Sequence, residues 1–195
     1  MKKILSQKYF LSRNTVKIAK SLLGKFLVRR RGRKIESYMV TEVEAYDGFK
    51  DRASHAHRGK TERNKIMFGK AGHWYVYFTY GMHHMLNIVT GPKNYPAAIL
   101  IRSIRVDPCL PAGGRVIDPS QSASILNGPA KLTKYLKIDK KFNGKLADKK
   151  TDLWIKDGGI KIKPIKIKSA SRIGVNYAGP VWGKKKYRFF IKIPN

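Results

Sequence analysis

Apolar and polar residues alternate with period two along several stretches of this chain, and recur with helical spacing along others. Val16, Ala19, Leu22 and Leu23 fall on one face of a helix that Asn14 can cap and Gly24 can end. Phe26 to Arg30 and Glu36 to Tyr46 read as strands joined by the basic turn Arg30-Arg-Gly-Arg-Lys34. Along the second of these, alternation puts Glu42, Glu44 and Tyr46 on one face and Val43 and Ala45 on the other. That acid-bearing face therefore looks away from the core or into a cleft.

From Asp47 to Gly72 the pattern is loop-like, with a short helix expected at Thr61 to Met67. His73 to Thr79 alternates as a strand, Tyr80-Gly81 reads as a hairpin tip, and Met82 to Val89 returns. Ala97 to Val106 is a further strand, residues 107 to 128 are Pro-, Gly- and Ser-rich and read as irregular, and Pro129 to Leu136 fits a helix. Asn143-Gly144 is a turn signal. Ile and Lys alternate from Ile160 to Lys168 around Pro164, which predicts an edge or bulged strand. Arg172 to Gly179 is turn-rich, and Tyr187 to Ile193 reads as a last strand. With no repeat or long linker, the pattern predicts an α+β protein. Residues 1–195 are expected to form one compact domain, with a mostly antiparallel, curved sheet and a few short peripheral helices.

Composition narrows the partners. The chain has 42 Lys plus Arg against 12 Asp plus Glu, a net charge of +30, so a polyanion is the expected ligand and nucleic acid leads. A membrane is not expected, because no apolar run approaches ~18 residues and no basic amphipathic helix stands out. Met1 to Lys8 lacks the apolar core of a secretory signal, and the single cysteine, Cys109, can form no internal disulfide, both of which suggest an intracellular protein.

Against that charge, five of the twelve acids (Glu36, Glu42, Glu44, Asp47, Asp51) crowd into sixteen positions. Glu44 can act as a general base toward water or can pair with one of many cations, and Glu42 on the same face competes for either role. Two carboxylates also admit a glycoside-hydrolase arrangement, for which neighbouring same-face positions are a weak signal. The run Trp74 to Tyr80 supplies either core rings or a platform for nucleobases, and Tyr80 beside Gly81 suits a wedge filling the gap left by an extruded base. His55, His57, His73, His83 and His84 match no tight metal-binding spacing, so no metal and no cofactor is expected. Arg102 and the scattered cations are candidates for phosphate contacts.

Taken in order, these residues carry a resemblance. Thr41-Glu-Val-Glu-Ala-Tyr46, Ala53-Ser-His55, Thr61-Glu-Arg-Asn64, Tyr75-Val-Tyr-Phe-Thr-Tyr-Gly-Met82, Asn87, Ile99-Leu-Ile-Arg102, Gly128-Pro-Ala-Lys-Leu132 and Arg172-Ile-Gly-Val-Asn-Tyr-Ala-Gly179 together resemble the alkyladenine (3-methyladenine, methylpurine) DNA glycosylase family. The resemblance implies a monofunctional repair enzyme that flips an alkylated or deaminated purine from double-stranded DNA and hydrolyses its N-glycosidic bond. Its substrate class would include 3-methyladenine, 7-methylguanine, hypoxanthine and ethenoadenine. It implies Glu44 as the base that activates water, with Arg102 and the backbone carbonyl of Ile173 helping to position that water. Tyr46, His55 and Tyr77 would hold the flipped base, and Asn87 would obstruct the exocyclic amine of guanine. Tyr80 would enter the duplex on a protruding hairpin, supported by Met82, while Arg63, Lys131 and Arg172 would contact the DNA backbone. His83 departs from the pattern, which has another aromatic there. A monomer acting in the nucleoid or another DNA-containing compartment is expected, and the competing readings are a non-enzymatic nucleic-acid-binding domain and an RNA-binding protein.

Overall fold

A computed structural model describes residues 3–106 and 124–192 of the chain. Among the described residues nine strands form one sheet, and every strand pairing is antiparallel. They are β1 (Phe26–Arg31), β2 (Lys34–Asp47), β3 (Trp74–Thr79), β4 (His83–Val89), β5 (Ala97–Val106), β6 (Ser124–Asn127), β7 (Leu153–Lys156), β8 (Ile167–Ala170) and β9 (Arg188–Ile191). The main path runs β3-β4-β5-β2-β1-β7, with β6 on β5, and β9 bridging β2 to β8. Three short α-helices among the described residues, α1 (Thr15–Leu22), α2 (Pro129–Leu136) and α3 (Gly179–Lys184), join the sheet in an α+β fold.

Local signals explain the helices. Asn14 caps α1 by accepting from the Lys17 amide at 2.9 Å, and Gly24 ends it at φ +80°, where a β-carbon would also stand 2.8 Å from Ile162. Pro129 opens α2, whose Leu132 and Leu136 enter the core and whose Thr133 hydroxyl donates to the His84 carbonyl at 2.8 Å, fastening the helix to β4.

Register decides the rest. Glu44 on β2 pairs with Leu100 on β5, which pairs with Asn87 on β4, which pairs with Tyr75 on β3. Residues opposite one another in a sheet share a face, so these four form one row. The next row, Ala45, Ile99, Ile88 and Trp74, points the other way into the main core with Val43, Ile101, Leu86 and Val76. Two compensating bulges interrupt β2 and β5: Thr41 is the extra residue on β2 and Arg102 the extra residue on β5.

Several expected elements differ. The Thr61–Met67 helix is instead a single 3₁₀ turn at Lys65–Phe68. Residues 124–127, expected to be irregular, form β6 because they find the free edge of β5; residues 107–123, including Cys109, lie outside the described residues. The Ile/Lys alternation does not make a strand from residue 160, since Pro164 starts a 3₁₀ turn and strand pairing begins only at Ile167. The last strand occupies Arg188–Ile191, with Ile193 outside the described residues, as are Met1 and Lys2. Among the described residues no helix is long and apolar enough to cross a membrane.

Candidate active site

The row Glu44, Leu100, Asn87, Tyr75 floors a cavity of about 300 Å³. Tyr46, Tyr77, Met85 and Ala98 extend that floor along the same strands, and the loop carrying Ala53, His55 and Met67 walls one side. The segment Ile173–Tyr177 closes another side, and Tyr80 stands at the rim. Alternation along four strands thus gathers what sequence had separated by more than forty residues.

Glu44 has no exposed surface. Its Oε1 accepts from the Ile173 amide at 2.8 Å and lies 3.3 Å from Arg102 Nη1, while Oε2 accepts from the Tyr46 hydroxyl at 2.9 Å. Burial pushes the carboxyl above its ordinary range; Arg102, the Ile173 amide, the Tyr46 hydroxyl and Arg172 pull it back only in part. Burial, and after it the neighbouring Glu44 charge, raises the Tyr46 phenol well above its usual value, so that Tyr46 stays a donor. Glu42, the competing carboxylate, does not line the cavity: its Oε1 takes Arg102 Nε at 3.1 Å and Arg188 Nη1 at 3.0 Å.

The cavity walls are aromatic. The His55 ring meets Tyr77 edge-on with centroids 4.6 Å apart, and His55 Nδ1 is 3.1 Å from the Tyr75 hydroxyl. Although His55 keeps exposed surface, removal from water among these rings, with the Arg63 charge adding, pushes its imidazolium down to about 4, so it is neutral at neutral pH. The Arg63 guanidinium lies 5.3 Å from the Tyr77 ring centroid and donates to the Phe78 carbonyl. Asn87 gives its side-chain amide hydrogens to the carbonyls of Tyr75 (3.1 Å) and Met85 (3.2 Å). Turning the amide over would set oxygen against both carbonyls, so its own oxygen is the free acceptor.

At the rim β3 turns into β4 through Tyr80, Gly81 and Met82. Tyr80 and Gly81 both have positive φ (52° and 66°), a conformation glycine adopts freely and tyrosine rarely. Tyr80 is 81% and Met82 68% exposed, against a core face with almost none. Lys131 on α2 is exposed, as is Arg63.

Two expectations are corrected by this geometry. Arg172 is not at the surface to meet phosphate. It is buried in a two-pronged ion pair with Asp51 (2.5 and 2.8 Å), donates to the Ala45 carbonyl and lies under the Tyr46 ring at 4.8 Å. Burial works against its charge, but Asp51 outweighs that and strengthens its hold on the proton. Arg102, as a candidate for phosphate, is likewise committed to Glu42 and Glu44. Ile173 donates its amide to Glu44, a contact additional to the carbonyl role that the resemblance implies. Sequence reading also missed Tyr177, Met85 and Leu100. Tyr177 is 70% exposed at the rim with its hydroxyl fixed on the Ala53 carbonyl at 2.9 Å; Leu100 and Met85 were legible only through the register. Among the described residues no group of three His, Cys, Asp or Glu side chains is placed to hold a metal ion.

Comparison with known proteins agrees with this arrangement. The model of the family described as methylpurine-DNA glycosylase (MPG) matches residues 9–194. Three relatives, each named "Putative 3-methyladenine DNA glycosylase", are 39% identical. That of Borreliella afzelii aligns over 186 residues (95% of both chains), and that of Methanocella arvoryzae over 189 (94% of this chain, 90% of the relative). That of Bdellovibrio bacteriovorus aligns over 191 residues (97% and 95%). The match spans nearly the whole chain and includes every element of the cavity described above, so the chain belongs to the methylpurine-DNA glycosylase family.

Proposed function

We propose that the protein removes alkylated or deaminated purines from double-stranded DNA by hydrolysis, leaving an abasic site, with Glu44 as the general base. One observation carries the reading: a fully buried carboxylate, held by three separate elements, sits on the floor of a ring-walled cavity in a protein of net charge +30. A carboxylate buried under such a basic surface is of no help in gripping phosphate.

The chemistry balances simply. A water oxygen bonds to the anomeric carbon of the flipped nucleotide and gives a proton to Glu44, while the C1′–N bond breaks and its electron pair leaves with the base. An ionised Glu44 also favours the positive charge that develops on the sugar. Tyr46 on one side and His55 with Tyr77 on the other would stack on the base, and electron-poor alkylated rings gain most from such faces. Asn87, fixed by two carbonyls, sets a rigid limit on what fits at the floor's centre. 3-Methyladenine, 7-methylguanine, hypoxanthine and ethenoadenine form the substrate class to be tried. No lysine lines the cavity among the described residues, which favours hydrolysis over an amine-linked, strand-cutting route. Tyr80, supported by Met82, would fill the vacated stack, and Arg63 and Lys131 remain the proposed backbone contacts of a monomer acting wherever DNA is kept.

The test is single-turnover release of free base from duplexes carrying hypoxanthine or a methylated purine, for the wild type and Glu44→Gln. Release by the wild type, slowed at least about 100-fold in the variant while binding to the damaged duplex persists, is expected. No release by either, with salt-sensitive binding intact, would leave a non-enzymatic DNA-binding domain.

A further inference from the structure

Glu44 does not end the buried charge at this site. Beyond it the charges alternate: Glu44 Oε1 to Arg102 Nη1 (3.3 Å), Arg102 Nε to Glu42 Oε1 (3.1 Å), and Glu42 Oε1 to Arg188 Nη1 (3.0 Å). Side-chain exposure along the series is 0, 10, 11 and 23%, so the row runs from the cavity floor outward and only its last member meets much water. Arg188 is itself held, its Nε donating to the Ser171 carbonyl at 2.9 Å, and it is the residue opposite Glu44 where β9 pairs with β2. Arg102 stands at the bulge itself, the extra residue of β5 between the partners of Glu42 and Val43.

One guanidinium shared between two carboxylates gives each less than its full charge. Whatever neutralises Glu42 therefore governs how much of Arg102 is left for Glu44. We propose that Glu42 and Arg188 are positioning residues that act through Arg102, holding it at an angle to Glu44 and metering the positive charge that reaches the Glu44 carboxylate. This rests on the reading of Glu44 as the base.

The other groups facing Glu44 do not substitute for the pair. Tyr46 on β2 donates to it and stays protonated; Tyr77 on β3 and Tyr177 on the 173–177 segment are neutral phenols. Arg172 adds a pull on Glu44 but is fixed in its pair with Asp51, and His55, on the loop wall of the cavity, is neutral above about pH 4. Glu42 and Arg188 are thus the adjustable charges, and their removal has opposite signs. Glu42→Gln keeps an oxygen acceptor for Arg102 but deletes the competing charge, so Glu44 ionises more easily. Arg188→Met leaves Glu42 with Arg102 alone, drawing more of that guanidinium away from Glu44, so Glu44 ionises less easily.

The chain contains four glutamates, Glu36, Glu42, Glu44 and Glu62, so carboxyl-¹³C-glutamate NMR gives a countable set of signals, with Glu44 assigned by its loss in Glu44→Gln. The expected result is a Glu44 midpoint lowered by about 0.5 to 1 pH unit in Glu42→Gln and raised by a similar or smaller amount in Arg188→Met, with Arg188→Lys returning toward wild type. The acid limb of single-turnover base release should move in the same two directions. Each variant tests its own sign, so failure of one to fold leaves the other decisive. A midpoint that stays put in both, or moves the same way in both, overturns the proposal. If the wild type releases no base, the reading of Glu44 as the base fails, while the NMR titration still decides whether the charge series tunes it.

Discussion

Across β2, β5, β4 and β3, a single step along the chain separates Glu44 from Ala45, Leu100 from Ile99, Asn87 from Ile88 and Tyr75 from Trp74. One face of this sheet is an apolar core closed by α1 and α2; the other carries a buried carboxylate, a fixed amide and rings around open space. Backbone, twist and register are common to both. What differs is the density of polar atoms: the core face is almost wholly apolar, its Trp74 indole donating to the Leu153 carbonyl, whereas on the cavity face Glu44 and Asn87 are held by partners on neighbouring strands and at Ile173. The core face holds the cavity face in shape, and the cavity face tolerates polarity because its partners arrive already anchored.

The sharpest way to break this arrangement is at the anchor. Asp51 and Arg172 are both buried, and Arg172 immediately precedes the residue whose amide binds Glu44. Removing one partner, as in Asp51→Ala, leaves an uncompensated buried charge and is expected to cost about 3–5 kcal/mol, read as a lowered denaturant midpoint. Activity should fall beyond what the lost folded fraction explains, because the Ile173 amide loses its support.

Neighbouring substitutions then separate the faces. Ile99→Ala removes atoms from a closed core and is expected to cost about 2–5 kcal/mol with substrate preference unchanged. Leu100→Ala, one residue on, borders space that is already open, so its stability cost should be smaller and its effect should fall on which bases are released. Equal losses from both, with no change in preference, would count against a division of labour between the faces.

A pH series sharpens the comparison further. Glu44 is pushed upward by burial and must be ionised to act as a base, so release should fall with acid along a limb centred above the ordinary glutamate value of about 4.3. His55 adds a separate pH dependence, on stability. Its folded value, about 4, lies below the unfolded value of about 6.5, so between them the unfolded chain binds the extra proton. The stability it contributes is present above pH 6.5 and lost as pH falls toward 4. His55→Phe should flatten that part of the stability profile while leaving the Glu44 limb in place.

Much of this was legible beforehand, and the reasons are local. Ala97–Val106 and Pro129–Leu136 coincide with β5 and α2 because alternation, a proline start and turn residues all agreed there. The division of β2 into an acid face and an apolar face followed from period two alone. Leu153–Lys156 was missed because β7 is apolar on both faces and only four residues long, so it carries no alternation. Arg172 was misjudged because sequence gives each arginine the same charge; only the fold reveals that Asp51, 121 positions away, has claimed it. The bulges at Thr41 and Arg102 were invisible for the same reason, being properties of two strands together.

The mildest change lies at the rim, where the two faces no longer compete. Tyr80 is 81% exposed and makes no demand on the core, so Tyr80→Ala should alter stability by no more than about 0.5 kcal/mol. Its ring nevertheless sits at the mouth of the cavity in a positive-φ hairpin turn, a conformation a tyrosine adopts at some cost. If its role is to replace an extruded base in the stack, the loss should appear in affinity for a damaged duplex, about tenfold, at a stacking worth of 1–3 kcal/mol per ring. Affinity for undamaged duplex, set by lysines and arginines spread over the surface, should barely change. Fluorescence anisotropy with matched duplexes, one carrying an abasic-site analogue, reads both numbers from one titration. An equal loss on both would make Tyr80 a general contact with the strand, and the fixed, 70% exposed ring of Tyr177 across the rim would become the better place to look for the wedge.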